Sequence, residues 1–168
     1  MKQVFFIFFI LLEFAGCSYA TDKKDLISIG IGEYDFLRDH HRTIEGRIEW
    51  KPGVEYCKFR PLLGVMFTAQ GAVYTYGGVS FVLSVQKKFF IEPNFAAGYY
   101  YDGGGKKLGY PLEFRSGIEI GREFANQSRI GFHFYHISNA SIGRRNPGEE
   151  SLVVFYAFPI ERKKRSNK

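Results

Sequence analysis

This 168-residue chain is poor in the residues that build small stapled or metal-bound domains: it has two cysteines, two methionines and one tryptophan. It also lacks, after residue 20, any unbroken apolar stretch of the roughly 20 residues that a membrane-spanning helix needs. Cys17 falls inside a short apolar leader, so removal of that leader would leave Cys57 alone. That excludes an intramolecular disulfide in the processed chain and any cysteine-based metal site. No internal repeat and no convincing helical periodicity is present. If the chain enters a membrane, it does so as a closed barrel, the only other structure that satisfies its backbone groups in lipid.

The leader is the first 20 residues. Lys2 supplies a positive start, Val4 to Leu12 is almost wholly apolar, and Ser18 and Ala20 are the small residues at the positions a signal peptidase reads. Phe14, Ala15, Gly16 and Cys17 loosely match a lipoprotein processing site, ranked second. Cleavage after Ala20 removes one lysine and one glutamate and leaves the net charge at +6. A basic exported protein suits an anionic lipid or a phosphorylated glycolipid and leaves nucleic acid the weakest partner, so none is expected.

What is abundant is aromatic residues and glycine: 18 Phe, 11 Tyr and 19 Gly. Eight segments alternate with a period of two, at about 25–36, 42–51, 59–70, 73–86, 88–101, 110–123, 128–138 and 150–160. Turn signals separate them, among them Pro52-Gly53, Gln70-Gly71 and the run Asp102 to Gly105. The expected domains are a signal peptide over 1–20, a barrel over 21–160 and a basic tail over 161–168.

The polarity of the alternation decides the class. In the second segment Ile44, Ile48 and Trp50 share one face and Glu45, Arg47, Glu49 and Lys51 the other. In the sixth, Leu112, Phe114, Ile118 and Ile120 oppose Glu113, Arg115 and Glu119. Segments of about ten residues match a tilted bilayer span, and an eight-stranded interior is just wide enough to be filled by side chains. The fold expected is all-β, an eight-stranded antiparallel transmembrane β-barrel with apolar residues outside and paired charges inside. A soluble lipocalin-like barrel is the alternative.

Chemistry concentrates around the last hairpin. His136 and Ser138 share the even-numbered face of the seventh segment with Ile130, Phe132 and Phe134; Glu150 opens the even-numbered face of the eighth. A hydroxyl, a base and a carboxylate on one face are the parts of a serine esterase. Glu149 has the opposite parity. Taken singly, Ser138 and Asn139 suit a turn, His136 an interface and Glu150 a strand end; their joint spacing and parity favour catalysis. The face being the lipid-facing one, the site is expected outside the barrel, at the rim opposite the termini. Of the basic residues in the outward connections, Arg144 and Arg145 are the two expected to meet substrate phosphates. The others are read as solvated.

His136 to Ala140, the later run Asn146 to Glu150, and Leu108 to Arg115 resemble the outer-membrane lipid A 3-O-deacylases of Gram-negative bacteria, the PagL type. The resemblance covers most of the processed chain and is densest from Leu108 to Leu152. It implies hydrolysis of the ester-linked 3-hydroxyacyl chain at position 3 of lipid A, the lipid anchor of lipopolysaccharide, in the bacterial outer membrane. Ser138 would be the nucleophile, His136 the base and Glu150 the acid that orients it. Asn139 would help stabilise the oxyanion, with Gly143 a candidate for a further N–H. The family needs no cofactor and no metal. A homodimer is left open, as are a phospholipid esterase of similar architecture and a non-enzymatic structural or adhesion barrel.

Overall fold

The structure, a computed structural model, describes residues 19–20, 23–38, 40–85 and 88–161. The proposed signal peptide and the basic tail lie almost wholly outside those residues. Eight long strands make the wall: β1 (Asp25–Tyr34), β2 (Thr43–Lys51), β3 (Phe59–Thr68), β4 (Val73–Phe81), β5 (Phe89–Tyr101), β6 (Leu112–Glu123), β7 (Arg129–Ser138) and β8 (Glu149–Ile160). Each pairs antiparallel with its sequence neighbour, and β8 pairs with β1 to close the barrel. A short pair, Tyr19–Ala20 with Glu55–Tyr56, lies at the end where β1 begins.

Strand limits follow the turn signals closely, with two differences. β1 stops at Tyr34 because Asp35 takes a left-handed backbone (φ 52°) and turns the chain out of the ladder. The expected strand 73–86 is broken at Val82, which packs against Leu26, Phe90, Phe155 and Ala157; pairing with β5 resumes at Leu83–Val85.

The two faces are sorted as a lipid-embedded barrel requires. Ile29, Ile31, Ile48, Phe67, Phe95, Ile120, Phe132, Phe134 and Val154 are exposed on the outer wall. Arg47, Arg60 and Arg115 are among the largest fully buried side chains and fill the interior. A buried charge is tolerated only when paired, and the lumen is organised accordingly. Lys51 Nζ donates to Glu92 and Glu119, both at 2.7 Å; Arg115 Nη2 donates to Glu49 at 2.9 Å, and Arg129 Nη1 to Glu92 at 2.7 Å. Arg47 reaches Glu119 and the imidazole of His133. Glycine makes room for rings as much as for charges: a Cβ at Gly64 would stand 2.4 Å from the Tyr76 ring, and one at Gly117 2.6 Å from His133 Nε2.

The connections at the end away from the start of β1 run over 35–42, 69–72, 102–111 and 139–148. They tie to one another. Lys106 Nζ donates to Asp35 Oδ1 at 2.7 Å, and both are buried. This end carries the candidate site.

Candidate active site

β7 ends and β8 begins beside this rim, and their register sets His136 directly opposite Glu150. Both side chains point outward. Buried Tyr135, Ile137, Glu149 and Ser151 occupy the alternate positions and face inward. Glu149 faces the other way, as its parity requires: it is wholly buried and accepts from Ser151 at 2.9 Å. His136 Nδ1 lies 3.0 Å from Glu150 Oε1. A carboxylate can only accept, so Nδ1 carries the proton and Nε2 is left with its lone pair free to act as a base. Ser138, half-buried, follows two residues on and shares the face. Among the described residues its hydroxyl forms no hydrogen bond to the imidazole. Such contacts are often long before substrate arrives and tighten in the complex.

Glu150 is held from several sides. Its backbone oxygen accepts from Phe36 N–H at 3.0 Å, joining β8 to the first loop. Arg38 Nη1 donates to the carbonyls of Pro147 (3.0 Å) and Gly148 (2.9 Å), while its Nη2 lies 3.5 Å from the Glu150 carboxylate. Sequence reasoning left Arg38 as a solvated loop residue. Its role follows from barrel closure, which sets the first connection against the last.

Gly148 backs the imidazole. Its φ is +61°, and a Cβ there would stand 2.6 Å from His136 Cε1 and 3.2 Å from Nε2. Gly148→Ala is expected to push the ring from its place and strain the turn, lowering the rate of any reaction that uses His136 as its base by about 100-fold, the scale of an ångström misplacement. Steady-state kinetics on the folded barrel would measure it, and an unchanged rate would rule out this backing role.

The loop residues are placed differently from expectation. Asn139 is fully buried, and its Nδ2 donates to the carbonyls of Leu108 (2.9 Å) and Arg145 (2.8 Å). Its backbone N–H donates to Asn146 Oδ1 at 3.1 Å. Every donor of Asn139 is thus committed to knitting the 139–148 loop onto the 102–111 loop. Gly143 packs in the same junction, where a Cβ would meet Gly109 O at 3.0 Å and Tyr110 Cβ at 3.1 Å. The Gly143 N–H forms no hydrogen bond among the described residues. Arg144 and Arg145 are exposed, and their guanidinium groups are bonded to no other described residue.

Beside this junction, Tyr99, Tyr101, Lys107, Tyr110 and Pro111 border an open recess of about 320 Å³ at the top of β5 and β6. No group of three or more His, Cys, Asp or Glu among the described residues converges to hold a metal ion. The parts brought together are a carboxylate-oriented imidazole, a nearby serine and a basic rim, on a wall that is otherwise apolar.

Comparison with known proteins supplies the context. The family model described as lipid A 3-O-deacylase (PagL) matches residues 39–159. Over 57 residues the chain is 40% identical to a lipid A deacylase PagL of Pseudomonas aeruginosa, a match covering 34% of this chain and 33% of that protein. The aligned part thus spans about a third of that relative. The crystal structure of the outer membrane enzyme PagL matches with a TM-score of 0.62 at 19% identity, over 80% of this chain and 99% of that one. A de novo designed transmembrane β-barrel matches with a TM-score of 0.59 at 8% identity, over 85% and 100%. At these identities the structural likeness speaks to the fold alone.

Proposed function

The chain belongs to the lipid A 3-O-deacylase (PagL) family, and from that premise we propose that it hydrolyses the acyl ester at position 3 of lipid A as a serine esterase. It would work in the outer leaflet of a bacterial outer membrane. The observation that carries this reading is the His136–Glu150 contact of 3.0 Å on the outer wall, with Ser138 two residues along on the same face. Soluble esterases bury such a group in a cleft. Here the substrate is itself the surrounding solvent, so an outward-facing site at the rim meets it directly. Outer-membrane barrels put their longer loops outside the cell, which matches the site to the outer leaflet. Charge on the lipid face costs little there, roughly 0–1 kcal/mol near the interface.

In this reading His136 Nε2 takes the Ser138 proton as Oγ attacks the ester carbonyl. Glu150 holds the tautomer and stabilises the imidazolium. The tetrahedral intermediate collapses by breaking the bond to the sugar oxygen, which receives the proton from His136. Water, activated by the same imidazole, then releases the fatty acid and restores Ser138. Asn139 enters as the residue that shapes the loop, and the uncommitted N–H of Gly143 is the loop donor available to the oxyanion. Arg144 and Arg145, exposed in the same loop, would bind the phosphates of the headgroup.

Mass spectrometry of lipid A from cells with and without the protein is the direct test. Loss of one 3-hydroxyacyl chain is expected. Unchanged lipid A, with a folded barrel present, would refute the reading; release of fatty acid from defined phospholipids in its place would make the chain a phospholipid esterase.

A further inference from the structure

One polar side chain on the outer wall lies beside the Ser-His-Glu group without a hydrogen bond to it. Ser116 of β6 stands directly opposite His136 in the β6–β7 register, and it is exposed. Its partner on the other side is Phe95 of β5, whose ring stacks on Phe114 at 6.1 Å. Phe114 in turn faces Ser138 across the strands, and the row beneath is Ile118 and Phe134. The Ser116 side chain therefore stands between His136 and Phe95, flanked by Phe114, Ile118 and Phe134, and its hydroxyl forms no hydrogen bond among the described residues. No group among the described residues takes up this hydroxyl, which leaves it open to a polar atom that an incoming molecule brings.

The position says which atom. Ser116 and Ser138 are diagonal neighbours across an antiparallel pair, a spacing of about 7–8 Å between Cα atoms. An acyl chain whose carbonyl sits at Ser138 and whose tail runs down the wall, away from the loops, passes over Ser116. A 3-hydroxyacyl chain carries its hydroxyl two carbons beyond that carbonyl. The intervening bonds and one hydrogen bond of about 2.8 Å cover the gap between the two serines. We propose that Ser116 is a specificity-determining residue that hydrogen-bonds the 3-hydroxyl of the scissile chain and so selects hydroxylated over plain acyl esters. The proposal rests on the deacylase reading and adds to it the residue that reads the hydroxyl of the acyl chain.

Purified full-length protein would be assayed on two synthetic glucosamine 3-O-esters, one 3-hydroxytetradecanoyl and one tetradecanoyl. The wild type is expected to favour the hydroxylated ester. Ser116→Ala should lower kcat/KM on that ester about tenfold, the worth of one hydrogen bond, and bring the ratio of the two substrates towards one. Ser116→Thr, which keeps the hydroxyl, should keep the preference. An unchanged ratio in Ser116→Ala overturns the proposal, as does an equal loss on both esters in a barrel that is still folded. The deacylase reading fails separately: it falls, and the proposal with it, if the wild type cleaves neither ester. If Ser138→Ala abolishes a cleavage that shows no preference, only the role of Ser116 is lost.

Discussion

Ser138→Ala should reduce fatty-acid release from lipid A about a million-fold in kcat, the scale seen when a serine hydrolase loses its nucleophile, while leaving the barrel intact. The clean separation follows from what Ser138 does in the resting chain. Its hydroxyl forms no hydrogen bond among the described residues, so removing it orphans no buried partner. Its Cα stays in the ladder opposite Phe114, a pairing that alanine keeps. His136→Ala should be about as damaging. Glu150→Gln should cost less than either, because the imidazole remains present but loses the carboxylate that fixes its tautomer. Release of 3-hydroxy fatty acid reads the activity, and heat-dependent electrophoretic mobility reads the fold. Full activity in Ser138→Ala would end the assignment of the nucleophile.

Much of this was legible before any coordinates, for a physical reason. Side chains in a strand alternate faces as long as no bulge intervenes, so one correct parity assignment sorts a whole wall. That placed Arg47 and Glu119 inside, Phe132 and Val154 outside, and put His136, Ser138 and Glu150 on one face. It also separated Glu150 from Glu149, neighbours whose side chains end on opposite sides of the wall. What stayed hidden was whatever depends on closure or on loop conformation. Arg38 meets the carbonyl of Gly148 across 110 positions of sequence, because β1 and β8 join only when the barrel shuts. Asn139 has no periodicity to reveal that its amide is spent on Leu108 and Arg145. The left-handed residues Asp35, Ala140 and Ser141 turn the chain at the rim, and alternation is blind to such turns. The break at Val82 was missed for a related reason: an apolar residue fits either face by composition, and only the packing around Phe90 and Phe155 chooses.

Lys51→Met should destabilise the barrel by about 3–5 kcal/mol, the usual cost of stripping one partner from a buried ionic group. The strand register explains why this lysine matters more than its neighbours. Glu92 and Glu119 sit directly opposite one another on β5 and β6, a like-charge pairing that a sheet resists. Lys51 comes from β2, across the lumen, and its ammonium lies 2.7 Å from each. Glu92 would keep Arg129 at 2.7 Å, whereas Glu119 would keep Arg47 at 3.4 Å and the His133 ring at 3.7 Å, a charge partner only when protonated. Methionine fills much of the volume and supplies no charge, so the loss is electrostatic rather than a cavity. Urea unfolding in lipid vesicles should show a lowered midpoint with an unchanged slope. The double variant Lys51→Met/Glu119→Gln should recover part of the loss, since it removes the repulsion the lysine had been offsetting. A midpoint equal to wild type in the single variant would mean that the lumen is wet enough to screen the two carboxylates. The same interior bears on the proposed site: a lumen filled with paired charge has no room for an acyl chain, so an esterase of the kind proposed would have to present its serine to the lipid outside.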